Sequence, residues 1–335
     1  MSIRLLQVAL AVLCQIVVLA PVSAQQQEGQ ESKKLEERAE AGDAKAQREL
    51  ANAYLVIPST AKNIELGIKW LTKSAESGDA QSQLTLGMAL LDGGLVPRDD
   101  ANGIKWITKS AEQGLAEAQQ MLGHTYSTGT GVKKSDAVAL EWYKKAAEQG
   151  LATSQNNLGM MYAKGRGVAK DLTEAVKWLT QAAEKGNTSA QVNLANHYFS
   201  GAGVAKDAEE GVHWLKEAAN AEHSTAGSFL GLRYLKGVGV PKNTTEALKR
   251  LTKAAENGDA DSQFQVGVLY AFGEGTQQDL VKACAWFGVA EDSGNKDARG
   301  MMPALVLLMK PEQITQAARL SKDLVHEKLK NEQGE

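Results

Sequence analysis

Hydrophobic residues recur along this chain with the spacing of amphipathic helices, and the spacing itself repeats. In residues 115–128, apolar and small residues follow one another at steps of three and four, with polar residues between them. Residues 135–149 show the same pattern, and the segment 151–186 is a near copy of 115–150. The pattern predicts two helices in every 36 residues, which we call helix A and helix B of a repeat.

The 36-residue period runs through most of the chain. Arg250 occupies the one gap in the tryptophan series, whose members stand 36 or 72 residues apart: Trp70, Trp106, Trp142, Trp178, Trp214 and Trp286. Glycines suited to the end of helix B keep the same spacing, with Glu222 as the one exception: Gly42, Gly78, Gly114, Gly150, Gly186, Gly258 and Gly294. A period of this length indicates a solenoid, in which stacked neighbours bury the face that one pair cannot.

Two further columns of the repeat accept only small residues. The first holds alanine or serine, at Ala46, Ser82, Ala118, Ser154, Ala190, Ala226, Ser262 and Ala298. The second holds glycine or alanine, at Ala51, Gly87, Gly123, Gly159, Ala195, Gly231 and Gly267. Because small side chains let helices approach closely, we expect these columns at the contact between helix A and helix B.

A Gly-x-Gly loop joins the two helices in most repeats, as at Gly129 and Gly131. These loops lack the preceding strand and the third glycine of a dinucleotide-binding loop, so we interpret them as turns. Aspartates near the start of helix B, including Asp136 and Asp171, are expected to satisfy its free N–H groups.

Together these columns give the pattern A-x3-LG-x2-Y-x2-G-x-GV-x-K-D-x3-A-x2-W-x3-AA-x2-G, which resembles the Sel-1-like repeat, a relative of the tetratricopeptide repeat. The resemblance covers 43–294 as seven units, the first degenerate because its loop has lost the glycines. It implies an all-α, right-handed superhelical solenoid of stacked antiparallel helix pairs, with helix A lining a concave face. It also implies a scaffold or adaptor that assembles protein complexes, often in bacterial envelopes.

The ends of the chain differ from the repeats. Residues 1–24 have a charged start at Arg4, an apolar run and the small-residue cleavage site Val22-Ser23-Ala24, which predict a signal peptide cut after Ala24. We expect a polar linker at 25–30, an N-terminal capping helix at 31–42, and a C-terminal helical pair at 295–330. The prediction places the mature chain in the periplasm or outside the cell, with no further membrane insertion.

Charge and cysteine content exclude several classes of function. The net charge is −3, loss of Arg4 would make it −4, and no basic stripe that would suit nucleic acid appears. Only Cys284 follows residue 24, so no internal disulfide is expected. Cys284 shares its column with apolar residues and is interpreted as packing. The histidines show no metal-ligand spacing, and we predict no metal and no cofactor.

One catalytic motif competes with the scaffold hypothesis. Ser59-Thr60-Ala61-Lys62 matches S-x-x-K, a serine nucleophile motif, but the partner motifs S-D-N and K-T-G are absent. Ser59 and Thr60 also stand where helix B of the first repeat needs a cap. We therefore predict no catalytic residue and no enzyme activity. A weak serine hydrolase, acting on β-lactams or peptidoglycan, remains the alternative.

Two columns of helix A change polarity from repeat to repeat, which favours a surface that a partner recognises. By analogy with tetratricopeptide repeats, we predict that they line the concave face and bind a protein or peptide. The residues predicted for this site are Gln120, His124, Asn156, Met160, Asn196, Ser228 and Leu232. A regulator of a membrane sensor is a further alternative, in which the same binding has a signalling output.

Overall fold

The computed structural model describes residues 22–56, 60–221 and 223–333, with side chains at 31–56, 60–221, 223 and 225–325. Seventeen α-helices and no strand occur in these ranges. The helices are α1 (Val22–Glu40), α2 (Ala44–Val56), α3 (Ala61–Glu76), α4 (Ala80–Asp92), α5 (Asp100–Glu112), α6 (Ala116–Thr128), α7 (Asp136–Glu148), α8 (Ala152–Lys164), α9 (Leu172–Glu184), α10 (Thr188–Ser200), α11 (Ala208–Asn220), α12 (Ser224–Lys236), α13 (Thr244–Glu256), α14 (Ala260–Phe272), α15 (Leu280–Asp292), α16 (Lys296–Val306) and α17 (Pro311–Gln333).

The chain forms two compact units, with the boundary between Lys170 and Asp171. In the first unit, three helices A pack on the helix B that follows them, α2 on α3, α4 on α5 and α6 on α7. In the second unit the same pairs are α10 with α11, α12 with α13, and α14 with α15. Each helix B also packs on the next helix A, as α5 does on α6 and α13 on α14. The predicted all-α solenoid of stacked helix pairs is confirmed.

The glycine and alanine column lies where the two helices of a repeat meet, as predicted. The alanine and serine column instead contacts the preceding helix, as where the Ser82 hydroxyl lies 2.7 Å from that of Ser74. Every member of the alanine and serine column is buried. A methyl group added at Gly87 would lie 2.6 Å from Ile107 Cγ1 and 2.7 Å from the Gly103 carbonyl oxygen. One added at Gly267 would lie 2.7 Å from the Phe287 ring. Helix A and helix B therefore approach more closely than an alanine at these positions would allow.

The second glycine of each Gly-x-Gly loop does more than form a turn. Gly131 has φ +69°, and a Cβ there would lie 2.9 Å from Cβ of Asp100, on helix B of the preceding repeat. Gly239 has φ +72°, and a Cβ there would collide with the carbonyl of Ala208, at the start of α11. The loops are thus fixed both by backbone conformation and by contact between successive repeats.

The aspartates at helix B do not all act as predicted. Asp171 accepts hydrogen bonds from the backbone N–H groups of Thr173 and Glu174, so it caps α9. Asp136 lies in the first turn of α7 as expected, but Ser135 is the N-cap and Asp136 is the first helical residue. Asp136 instead pairs with Arg166, in the loop of the next repeat. That contact holds the pKa of the Asp136 carboxyl below its usual value.

A lysine one turn after the tryptophan covers several of the indole rings. Trp286 is buried, and the other tryptophans are partly buried. The lysine Nζ lies 4.1–4.5 Å from the ring centroid in the pairs Lys73–Trp70, Lys109–Trp106 and Lys145–Trp142. The aliphatic stem of a lysine covers apolar surface while its charge stays in water, and the ammonium is attracted to the ring. The tryptophan column is therefore part of the packing.

The terminal helices close the array on both sides. Helix α1 includes residues 25–30, where we expected a linker, and continues to Glu40. Its buried Ala39 packs with Ala46 and Leu50 of the first repeat, as expected for a capping helix. At the other end, α17 begins at Pro311 and packs on α15. Residues 1–21, which contain most of the predicted signal peptide, lie outside the described part of the chain.

The structure also shows a buried column that the sequence analysis missed. A glutamine follows the small residue in six of the repeats and is at most 6% exposed: Gln47, Gln83, Gln119, Gln155, Gln191 and Gln263. Each side-chain amide donates a hydrogen bond, 2.9–3.1 Å long, to the carbonyl of the alanine eight residues earlier. That alanine lies in the last turn of the preceding helix, where carbonyls lack helical partners. The glutamine thus ties each helix A to the helix before it.

In the first unit, further hydrogen bonds join the buried glutamine to a glutamine at the end of the following helix B. The Gln119 side-chain carbonyl accepts a hydrogen bond of 2.8 Å from Gln149 Nε2, which also donates to the Gly114 carbonyl. Gln113 donates to Gln83 in the same way, at 2.8 Å. One buried amide therefore connects three helices, and a polar group so deep in the array is stable because its donors and acceptors have partners.

We predict that Gln119→Ala lowers the free energy of unfolding by about 1–3 kcal/mol, because it leaves the Ala111 carbonyl without its amide donor. The neighbouring partly exposed residue gives the control, since Gln120→Ala should change stability by no more than about 0.5 kcal/mol. Urea unfolding followed by circular dichroism measures both. Equal losses for the two variants would show that the buried glutamine is not structural.

Candidate protein-binding surface

Helix A carries a row of four accessible residues in each repeat from 79 to 294. The row follows one face of the helix at steps of four, three and four, which in α6 gives Glu117, Met121, His124 and Thr128. We call this row the helix A strip. In the first unit it also comprises Gln81, Thr85, Met88 and Asp92 on α4, and Thr153, Asn157, Met160 and Lys164 on α8. In the second unit it comprises Ser189, Asn193, Asn196 and Ser200 on α10, Thr225, Phe229, Leu232 and Lys236 on α12, and Asp261, Gln265, Val268 and Phe272 on α14.

The middle two positions of the strip hold no lysine, arginine, aspartate or glutamate in any of these six repeats. They hold threonine, asparagine, glutamine, histidine, methionine, phenylalanine, leucine and valine. The charged members, such as Glu117 and Lys164, stand only at the two ends of the row. The strip therefore has an uncharged centre within each unit, and its end positions are polar except at Phe272.

The outer face of helix B has the opposite composition. In α7 its exposed residues include Glu141, Lys144, Lys145 and Glu148, and Lys144 forms an ion pair with Glu148 at 3.9 Å. Lys105 on α5 is exposed in the same way. Charged, mixed-sign helix faces are typical of surfaces that face solvent. The contrast distinguishes the helix A strip from the rest of the surface.

Four of the seven predicted site residues belong to the strip. His124 and Asn196 are exposed, while Met160 and Leu232 are partly buried. His124 and Met160 hold the same position in consecutive repeats of the first unit, and Asn196 and Leu232 do so in the second. Leu232 also contributes to the core, because it packs against the cluster around Leu251.

The other three predicted residues belong to a column that faces the interior. Gln120 and Asn156 are partly buried, but Ser228 is only 5% exposed, so its assignment to the surface is wrong. The Ser228 hydroxyl donates to the Thr225 carbonyl, 3.3 Å away in its own helix. Other members of the column, Leu84 and Val192, are buried as well. Gln120 and Asn156 keep part of their surface accessible and stay predictions.

The rest of the strip, at the positions of Glu117, Met121 and Thr128, was not predicted from the sequence. The analogy with tetratricopeptide repeats indicated the columns of Gln120 and His124, which lie one turn apart, but the column of Gln120 faces the interior. Charge in the sequence does not separate these columns, because the first repeat places Glu49 in the Met121 column and Arg48 in the Gln120 column, and neither column holds an ionised residue in the six repeats that follow. Arg48 is held by an ion pair with Asp79 at 2.7 Å.

With this geometry established, a family model for the Sel1 repeat matches the chain at seven segments, 44–79, 80–115, 116–151, 152–187, 188–223, 228–259 and 260–295. The segments cover well over half of the chain. The chain belongs to the Sel1 repeat family. The sixth segment begins four residues later than the 36-residue spacing predicts, so this repeat departs from the Sel1 pattern at its start.

Solved structures agree with this assignment. The protective antigen c5321 from uropathogenic Escherichia coli, which displays the same Sel1-like repeat fold, is 30% identical with a TM-score of 0.79. The match covers 87% of this chain but only 64% of c5321, so this chain spans less than two thirds of that protein. A Sel1 repeat protein from Oxalobacter formigenes is 29% identical, with a TM-score of 0.55, over 88% of this chain and 99% of its own. No curated protein matches the chain.

Cys284 and His197 of this Sel1 chain are engaged in local contacts. Cys284 is buried, its sulfur lies 3.9 Å from the Met302 sulfur, and burial raises the pKa of its thiol. His197 Nδ1 lies 2.6 Å from the Ala202 carbonyl oxygen. Within the described ranges, no group of three or more histidine, cysteine, aspartate or glutamate residues could hold a metal ion. Among the described helices, none has both the length and the apolar character of a membrane span.

The described residues of the S-x-x-K motif have different environments in the structure. Thr60 caps α3, because its hydroxyl accepts a hydrogen bond of 3.2 Å from the Asn63 backbone N–H. Lys62 is exposed in the first turn of α3. Ser59 lies outside the described residues. Capping therefore accounts for the threonine of the motif, and Sel1 repeat proteins are in general non-enzymatic scaffolds.

Proposed function

We propose that this Sel1 repeat protein binds a protein or peptide partner on the helix A strip. Sel1 repeat solenoids are in general scaffolds for protein interaction, and the strip supplies a surface of that kind. The observation that carries the proposal is the uncharged centre of the strip in six repeats. Depletion of ionised residues at the centre, together with methionine and aromatic residues, is typical of protein interfaces.

The chemistry of the strip suits an extended or helical peptide segment. Asn157 and Asn196 provide carboxamides, which combine a donor and an acceptor as a peptide backbone does. Met121, Met160 and Phe229 provide adaptable or broad apolar contact. Carboxamides would pair with the partner's backbone while the apolar side chains bury its side chains. The partner would thus be read by shape and hydrogen bonding more than by charge.

We further propose that the protein works in the cell envelope, as a periplasmic or secreted chain. The support is the sequence of residues 1–24, with Arg4, the apolar run and Val22-Ser23-Ala24. Cleavage after Ala24 would leave a new N-terminus at Gln25. A role in regulating a membrane sensor would use the same strip with a partner in the membrane, and no further observation favours it over simple assembly. The hydrolase alternative likewise has no supporting observation.

We predict that the intact mass of the protein recovered from its native host corresponds to a chain beginning at Gln25. A matched measurement on a variant with Ala24→Arg, which removes the small residue before the cut, should return the full-length mass. A wild-type chain that retains residues 1–24 would contradict the export proposal without affecting the fold.

Site-specific crosslinking tests the binding surface and captures the partner in the same experiment. Photoreactive benzoylphenylalanine placed at 124 or at 196 should crosslink a cellular protein or peptide. The same group at the exposed position 137 on helix B gives the matched control and should not. Crosslinks at 137 alone would place the partner on helix B and contradict the proposal.

Affinity for the captured partner then tests the uncharged centre. His124→Glu and Asn196→Glu each put one negative charge into the strip, and each should weaken binding about ten- to a hundredfold, because the charge must lose water in the interface. Ala137→Glu adds the same charge outside the strip and should leave affinity unchanged. All three positions are exposed, so thermal stability should stay near that of the wild type. Equal affinities for the three variants would contradict the assignment of the strip.

A further inference from the structure

A pocket of about 240 Å³ lies in the second unit, at the repeat formed by α12 and α13. Helix α11 contributes Ala219, α12 and its N-cap contribute Gly227 and His223, and the rest of the lining comes from α13 and its C-cap. The lining from that last part is Glu246, Lys249, Arg250, Lys253, Ala254 and Asn257. None of these residues belongs to the helix A strip.

The pocket lies where this repeat departs from the buried glutamine column. Gly227 stands at the position of Gln191 and Gln263, and a Cβ added there would have nothing within 4 Å. In the other repeats, the glutamine amide donates to an alanine carbonyl of the preceding helix, and that alanine is buried. Ala219 is the corresponding alanine here, and it is partly exposed and lines the pocket. The absent side chain therefore leaves both a space and a carbonyl without its usual amide donor.

The same repeat also departs from the tryptophan column. Arg250 occupies the tryptophan position. Lys253, one turn later, therefore has no indole ring of this column to cover. Arg250 Nε lies 2.7 Å from the Glu246 carboxylate, its i,i−4 neighbour. Lys249 adds a third cation, and no carboxylate in the described part of the chain is paired with it. Lys249 and Arg250 thus stand beside one carboxylate, Glu246, and this excess of positive charge favours an anion.

His223 also lines the pocket. It occupies the N-cap of α12, yet its side chain makes no capping hydrogen bond. Its Nδ1 is buried and has no hydrogen-bond partner among the described residues. The ligand therefore meets the cations on α13 and neutral polar groups at the end of α11 and the start of α12.

We propose that this pocket binds a ligand with a carboxylate beside an N–H donor, either a free amino acid or the C-terminal residue of a peptide. The carboxylate pairs with Lys249 and Arg250, and the N–H donates to the Ala219 carbonyl in place of the absent glutamine. A phosphate dianion has no such donor, and the carbonyl end of α11 carries partial negative charge that disfavours it. The inference does not depend on the helix A strip, since a partner can bind there whether or not this pocket is filled.

Isothermal titration of the full chain at low ionic strength tests the proposal with three probes. They are free L-glutamine, the acetylated peptide Ala-Ala-Gln with a free carboxylate, and the same peptide amidated at its C-terminus. At least one of the first two should bind with a Kd of about 1 mM or tighter. The amidated peptide should bind at least about tenfold more weakly. Binding of free glutamine alone assigns the pocket to a small molecule, and binding of the free-carboxylate peptide assigns it to a peptide end.

Two variants separate loss of the site from loss of the fold. Gly227→Gln restores the glutamine of the other repeats, so it should fill the pocket, abolish binding and leave the melting temperature equal or higher. Arg250→Gln removes the guanidinium and should weaken binding at least about tenfold. Lys177→Gln changes the residue equivalent to Lys249 in another repeat and should leave the titration unchanged. The proposal is overturned if neither carboxylate probe binds, if the amidated peptide binds equally well, or if Gly227→Gln retains binding at wild-type strength.

Discussion

The structure depends on contacts that a single helix pair cannot make for itself. Within a repeat, glycine at positions such as Gly87 allows helix A and helix B to touch backbone to backbone. Between repeats, the buried glutamine column and the second loop glycine tie each pair to the one before it. Each contact repeats every 36 residues, so the order of the array comes from nearest neighbours. The terminal helices α1 and α17 then cover faces that would otherwise stay open.

Because these contacts use fixed columns, the remaining columns are free to vary. The helix A strip contributes less to the core, and its residues differ from repeat to repeat within the limit that its centre stays uncharged. Each repeat can therefore present a different row of side chains while its backbone stays the same. The repeat of α12 and α13 differs in another way, because two of its packing columns are changed. There, Gly227 and Arg250 remove packing groups and leave a charged pocket.

Much of the fold could be predicted from the sequence, because the period, the small columns and the helix ends are each set by local chemistry. The tryptophan and glycine spacings were sufficient to define the two helices of each repeat. Polar residues were harder to assign. The glutamines at Gln83 and Gln119 look like surface residues by composition, and only the positions of the preceding carbonyls show why they are buried.

The candidate site was predicted only in part, for the same reason. Helical periodicity alone does not show which of two adjacent columns faces the core, and Ser228 was therefore misplaced. His124 and Asn196 are exposed, as expected of a column that changes polarity from repeat to repeat, but the same criterion also selected the column of Ser228. The pocket required the structure, since Gly227 and Arg250 are 23 residues apart in sequence and meet only through the packing of α12 on α13.

Hydrogen exchange of the backbone amides along the full chain tests most directly whether these columns hold the array together. In the second unit, α12 and α13 lack both the buried glutamine and the tryptophan, while the flanking pairs α10–α11 and α14–α15 have both. Local opening should therefore require less free energy at α12 and α13, and their amides should exchange faster than those of the pairs on either side. Equal protection across the three pairs would show that the glutamine and tryptophan columns do not set local stability, and would contradict this account.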